Sequence, residues 1–221
     1  MNLKKLVTAA VCTMLMAAVA FTAGCGGEKK SDKKVLKVGM ECAYAPYNWS
    51  QTKADGGAVK IAGSNEYAYG YDVMMAKKLA DSMGADLEIH KIEWDGLAPA
   101  VVSGKIDAAI AGMSITSKRK ETVDFTKPYY YATVVALVKK DSEQAKAQSV
   151  ADLKGSVATS QLNTIWYDQI DQVPDVKKLP AIDTVPGMIV ALTSGKCNLI
   201  VTDIPTAKAA AFANPELTVL N

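Results

Sequence analysis

Arginine is nearly missing from this chain. Of 25 basic residues in 221, one is an arginine, Arg119, and the rest are lysines. Histidine occurs once, as His90, and no His/Cys cluster has metal-ligand spacing, which argues against a metal centre or metal cofactor. His90 lies in the alternating run LEIHKIEW and reads as a solvent-facing strand residue. Cysteine is thin too: Cys12 and Cys25 fall in and just after an apolar leader, leaving Cys42 and Cys197, 155 residues apart. An exported protein allows such a pair to bridge. Nothing in the spacing directs it, so free thiols are expected. An excess of either charge is also lacking. Lys4 and Lys5 carry the formal +2, and from Cys25 onward 23 basic residues balance 23 acidic ones. The electrostatic footprint of a nucleic-acid binder is therefore absent.

The N-terminus has the layout of a secretion signal: MNLKK, then the 18-residue apolar run LVTAAVCTMLMAAVAFTA, then TAGCGG. A membrane-spanning helix is the competing reading, because 18 apolar residues just reach spanning length. The residues after the run favour export. CGGEKKSDKK is basic and has no globular pattern, and small residues sit where a signal peptidase cuts. TAGC resembles a bacterial lipobox with Cys25 as the lipidated first residue, although Thr22 stands where leucine is usual. The lysines of 29–34 read as a solvated tether beside lipid head groups.

Beyond the tether, short apolar strands alternate with helical patterns, which implies α/β sheets. VLKVGM (35–40) predicts a buried strand. GYDVMMAKKLADSMGADLEIHKIEW predicts helix then strand, with Val73, Met74, Ala76, Leu79, Ala80 and Met83 on one stripe, Asp72 as a helix cap and Gly84 as the stop. Residues 51–70 read as a hairpin or loop. YYYATVVALVKK (129–140) breaks the rhythm, and two α/β units joined near 129–137 are expected. GLAPAVVSGKIDAAIAGMS recurs as GMIVALTSGKCNLIVTDIP at a constant offset of 91, so Gly96, Ala100, Ser103, Gly104 and Lys105 repeat. Each copy predicts helix, SGK turn and buried strand. The echo aligns two strand ends, AGMS and TDIP, and ligands of open α/β sheets bind beyond carboxyl ends of strands. Gly112 and Ser114 in one unit, and Asp203 in the other, are thus placed to face a ligand.

Arg119 follows Ser114 by five residues and Thr116 by three. Its planar paired donors match a carboxylate in a way lysine cannot. The hydroxyls of Ser114 and Thr116 and the backbone N–H groups of Gly112, Met113 and Ser114 add donors. Asp203 supplies the opposite charge, and together these groups suit a zwitterion. Taken alone, Arg119 is equally a surface residue in a lysine-rich turn, and Asp203 equally a cap for the helix at Pro205. Tyr44, in ECAYAPYNW, and Tyr71, in YAYGYD, are placed to cover a small ligand; tyrosines in such loops also simply pack.

The run YAPYNW…GYDVMMAKKLA…WDGLAPAVVSGKIDAAIAGMSITSKRKETVDFTKPYY resembles the polar amino-acid-binding proteins of bacterial ABC importers, solute-binding family 3, over about 35–221. That resemblance implies a two-lobed, periplasmic-binding-protein-like (type II) α/β fold, each lobe a mixed sheet flanked by helices. It divides the chain into a signal peptide (1–24), a lipid-tethered linker (25–34), lobe 1 (35–130), a hinge (131–137) and lobe 2 (138–221). It implies an exported, lipid-anchored monomer without a cofactor, whose partners are an amino acid and a membrane permease. Carried over by motif, Arg119 grips the ligand carboxylate beside Gly112, Met113 and Ser114. Tyr44 and Tyr71 form an aromatic sandwich, Asp203 takes the ammonium, and Glu41 touches the ligand side chain. Gln161, Asn163 and Thr164 match the second-lobe contacts, although LNT replaces the usual Gly-Thr-Thr. The chain also stops at LTVLN, before the family's return into lobe 1. Two other readings stay open: an enzyme on this scaffold, similar to cyclohexadienyl dehydratases with Glu41 as acid or base, and an extracellular sensor module.

Overall fold

A computed structural model describes residues 33–220. The leader, the proposed lipidation at Cys25 and most of the tether lie outside those residues.

The first half of the chain forms β1 (Val35–Met40), β2 (Ala43–Tyr44), β3 (Asn48–Gln51), β4 (Val59–Lys60), β5 (Tyr67–Tyr69), helix α1 (Tyr71–Met83), β6 (Asp86–Lys91), α2 (Leu97–Val102), β7 (Ala108–Ala109) and the short α3 (Ser117–Lys120). The second half forms β8 (Val134–Lys139), β9 (Val157–Thr159), α4 (Ile165–Gln169), β10 (Lys177–Lys178), α5 (Val185–Thr193), β11 (Leu199–Asp203), α6 (Ile204–Ala213) and β12 (Leu217–Leu220). The parallel sheet β6-β1-β7 and the antiparallel sheet β2-β3-β5-β4 make one lobe. The mixed sheet β10-β9-β11-β8-β12 makes the other, with β8 antiparallel to both β11 and β12. The region 51–70 is accordingly an antiparallel ribbon. The expected joining segment divides: Tyr131 to Thr133 lie in no regular element, whereas Val134 to Leu137 already belong to the second sheet.

The first core gathers Leu36, Val38 and Met40 of β1 with Ile89, Leu97 and the inner face of α1. Burying each large apolar side chain of this kind contributes about 1.5–3 kcal/mol. The inner face of α1 is narrower than the sequence stripe. Val73, Ala76 and Ala80 are buried, but Met74, Leu79 and Met83 are exposed. Gly84 ends the helix in the left-handed conformation, φ 61°. Gly70, not Asp72, occupies the N-cap, and Asp72 is buried instead. His90 is half-buried on β6 rather than solvent-facing. Cys42 and Cys197 are free and buried.

The 91-residue echo is a structural repeat. Lys105 N–H donates to Ala100 O at 3.0 Å and Lys196 N–H to Ala191 O at 2.9 Å. Gly104 and Gly195 hold φ 71° and 79°, a backbone region glycine enters without steric cost. Each turn reverses the chain from helix into a strand, so β7 and β11 leave their sheets toward equivalent loops.

Candidate functional site

All three parallel strands of the first lobe end at one edge. Glu41 and Tyr44 follow β1, a 3-10 turn of Trp94–Gly96 follows β6, and Gly112 to Ser114 follow β7. In the second lobe Gln161 follows β9 and Asp203 ends β11. These ends converge on a cavity lined by Tyr44, Trp94, Gly112, Ser114, Arg119, Gln161, Thr164 and Trp166. Six of these eight were expected from the sequence. The cavity leaves room for about 10 Å³, at the lower limit for one water.

Thr116 caps α3 and accepts the Arg119 backbone N–H at 3.2 Å, which starts the helix and aims the side chain inward. Nη1 of Arg119 donates to Ser114 O at 2.7 Å, and Nη2 donates across the lobes to Asn163 O at 2.7 Å. Its guanidinium lies 5.5 Å from the centre of the Trp94 ring. Burial lowers the Arg119 pKa, against the opposing pull of Asp168. The two carbonyl oxygens thus occupy a planar donor pair that suits a carboxylate.

Asp203 is 0% exposed. It does what the plainer reading held, capping α6 by accepting Thr206 N–H at 3.0 Å, and it also takes the Thr206 hydroxyl at 3.0 Å. It then accepts the Tyr44 hydroxyl at 2.5 Å. Burial first, and then the Asp203 charge, push the Tyr44 pKa well up, so the phenol stays neutral. Tyr44 stacks on Tyr47, ring centres 4.7 Å apart and 25° between planes.

Glu41, 3% exposed, accepts both Gln161 Nε2 bonds at 3.1 and 3.0 Å, and the same amide reaches Asp183 O at 3.0 Å. Desolvation raises the Glu41 pKa to about 7, against the lowering effect of the Gln161 bond. Asn163 has φ 54° and donates Nδ2 to Asp95 Oδ1 at 2.9 Å. Thr164 caps α4 and donates its hydroxyl to Gln161 O at 2.7 Å.

Five of the eleven expected residues do not line the small cavity. Glu41, Asn163 and Asp203 reach its lining through hydrogen bonds to Gln161, Arg119 and Tyr44, whereas Tyr71 and Met113 lie elsewhere. Tyr71 donates its hydroxyl to Tyr129 O at 3.2 Å and is not on the small cavity. Met113 packs on the first-lobe core and faces a neighbouring cavity of about 490 Å³. That larger space shares Tyr44, Gly112, Ser114 and Trp166 but contains neither Arg119 nor Gln161, so the donor chemistry belongs to the smaller one. Trp94 and Trp166 are additions. Trp94 follows a strand's carboxyl end just as Tyr44 does, which is the signal that would have found it. Trp166 lies two residues beyond the Thr164 cap.

The family profile of bacterial extracellular solute-binding proteins, family 3, matches residues 36–178. A probable histidine-binding protein of Campylobacter jejuni is 31% identical over 182 residues, 82% of this chain; the match spans 65% of that relative's length. The arginine-bound form of a truncated arginine-binding protein from T. maritima superimposes with a TM-score of 0.70 at 30% identity, covering 84% of this chain and 81% of that one. An ancestral amino-acid-binding protein described as a precursor of cyclohexadienyl dehydratase does so with a TM-score of 0.70 at 32% identity, covering 85% and 77%.

Proposed function

The chain belongs to the bacterial extracellular solute-binding proteins, family 3, and on that premise we propose that it captures a polar amino acid between its lobes and passes it to the membrane permease of an ABC importer. Arg119 takes the carboxylate, with Gly112, Ser114 and Thr164 beside it. Asp203 takes the ammonium. Tyr44 and Trp94 cover the ligand body, and Glu41 with Gln161 meets its side chain. One observation carries the reading: the only arginine in the chain lines the same cavity as Tyr44, whose hydroxyl is held by the buried Asp203. A cation on the cavity wall and an anion on the hydroxyl of a wall tyrosine thus come from different lobes.

About 10 Å³ does not admit an amino acid, so the lobes must part. Hinge bending of this kind is well known in periplasmic binding proteins. Here it falls in the residues before Val134, where the second sheet begins. Export and anchoring through Cys25 complete the proposal. Relatives named for histidine or arginine and the buried Glu41 favour a cationic side chain.

A thermal-shift screen of the twenty amino acids tests this. At a hundredfold excess over its dissociation constant a ligand adds about 2.7 kcal/mol, and L-arginine or L-histidine is expected to do so. If none of the twenty stabilises the protein, the proposal fails. A second reading has its own support. Glu41, with its pKa near 7, has the acid strength of a general acid at neutral pH, and one structural relative is a dehydratase precursor. Turnover of prephenate or arogenate, abolished by Glu41→Gln, would move the assignment to an enzyme.

A further inference from the structure

Asp72 bonds none of the side chains that line the small cavity, yet it is 0% exposed and bonded through both oxygens. Oδ2 accepts Asn48 Nδ2 at 2.7 Å, and Oδ1 accepts the Tyr129 hydroxyl at 2.7 Å. Each partner passes the bond on. Asn48, also 0% exposed, accepts the Cys42 N–H on Oδ1 at 2.7 Å. Tyr129 accepts the Gly112 N–H at 2.8 Å. The chain therefore runs Cys42, Asn48, Asp72, Tyr129, Gly112, and it ends at two turns with left-handed backbone. Cys42 holds φ 56° and Gly112 φ 62°. Positive φ costs a side-chain-bearing residue about 1–2 kcal/mol, so something must hold the Cys42 turn. These turns bracket Tyr44: Cys42 lies two residues before it, and a Cβ on Gly112 would meet Tyr44 Cε1 at 2.9 Å.

We propose that Asp72 and Tyr129 are positioning residues for the amino-acid site. One buried carboxylate, acting through Asn48 and the Tyr129 hydroxyl, fixes both backbone turns that hold Tyr44 in place. The polarity of the chain is strict: a carboxylate accepts twice, and Asn48 must accept on one side and donate on the other. Tyr129 lies in the segment that leads to β8, so the bond to Gly112 also ties the connection between lobes to the cavity. This proposal rests on the amino-acid-binding reading, but its hydrogen-exchange readout does not.

Polarity supplies the test. Asp72→Asn puts an amide N–H₂ where an acceptor is needed, and one arm must break. Adding Asn48→Asp restores every bond, with only the one between positions 48 and 72 reversed. The new carboxylate accepts from Cys42 N–H and from the carboxamide at position 72, whose oxygen still accepts from Tyr129. With L-arginine as probe in calorimetry, Asp72→Asn is expected to weaken binding about tenfold and the double variant to recover to within about threefold of wild type, the coupling typical of contacting residues. Tyr129→Phe is expected to speed hydrogen exchange at the Gly112 amide and to leave the Cys42 amide alone. A double variant that binds no better than Asp72→Asn overturns the proposal. So does a Gly112 amide that exchanges at the wild-type rate in Tyr129→Phe. If wild type does not bind L-arginine, the amide exchange rates decide alone.

Discussion

Deleting the Arg119 guanidinium removes two bonds with opposite consequences for binding. The donor pair meant for a ligand carboxylate disappears, and truncating one partner of a buried charge pair costs about 2–5 kcal/mol of affinity. Yet Nη2 also donates to Asn163 O across the lobes at 2.7 Å, and losing that bond eases opening. Arg119 is only half-buried, so the relief is about 1 kcal/mol. The net loss in Arg119→Ala is therefore expected near the low end, about thirty- to three-hundredfold in dissociation constant. Arg119→Lys separates charge from geometry. An ammonium keeps the charge but not the planar pair, so it is expected to fall between the two. Calorimetry with L-arginine and L-histidine reads both variants. Unchanged binding in Arg119→Ala would refute the carboxylate grip, and wild-type binding in Arg119→Lys would refute the need for paired donors.

Asp203→Asn distinguishes cap from ligand contact. Asparagine caps helices about as well as aspartate, so stability should change by less than about 1 kcal/mol, whereas the missing charge should weaken amino-acid binding roughly thirtyfold or more. Equal losses in both would mean that Asp203 is only a cap. Gly112→Ala places a Cβ 2.9 Å from a Tyr44 ring locked by Tyr47 and Asp203. With φ at 62° it should destabilise by about 1–2 kcal/mol or more in urea titration, and an unchanged midpoint would show the ring free to yield. The Glu41 pKa is raised from 4.5 to about 7, so folding favours its protonated form. Its stabilisation is complete below 4.5 and is lost as pH rises through about 7, a loss of about 3 kcal/mol. Asp72, raised to about 6 by burial, adds a loss of the same sign at lower pH. Denaturation of wild type against Glu41→Gln across pH 4 to 8 should show the Glu41 share vanish in the variant; parallel curves would contradict the desolvated carboxylate.

What was legible in the sequence came from local rules, and what was missed depended on side-chain reach. Helix α1, strand β1 and the SGK repeat are set by short-range periodicity and turn chemistry, and they appear where the pattern puts them. The carboxyl-end rule located Tyr44, Gly112, Ser114 and Asp203 without any knowledge of their neighbours. The same rule covers Trp94, but WDGL also reads as a helix start, and its ring direction is fixed only by the turn after β6 and by Arg119. Tyr71 has the right chemistry in the wrong direction: at the first turn of α1 it points toward Tyr129 and Tyr130. Asp72 illustrates the limit most clearly. Beside a helix start an aspartate reads as a cap, and only contacts 24 and 57 residues away in sequence reveal it as a hub.

The bonds that cross the cleft share a property that bears on selectivity. Arg119 holds a carbonyl oxygen of Asn163, Asp203 holds the Tyr44 hydroxyl, and Glu41 holds the Gln161 amide. Each candidate ligand-binding group thus already has a partner of the kind the proposed ligand would bring: oxygen for the guanidinium, a donor for each carboxylate. Binding is then an exchange, and affinity reflects only the difference between the two sets of bonds. Such an exchange rewards a ligand that replaces every bond. One that opens the cleft but lacks the ammonium, or a donor for Glu41, leaves a buried carboxylate unpaired, which costs about 1–3 kcal/mol or more. Under the proposed function, rejection of incomplete ligands would therefore arise from the protein's own pairing, and the residues that position Tyr44 would matter because its hydroxyl is the group a ligand ammonium would displace from Asp203.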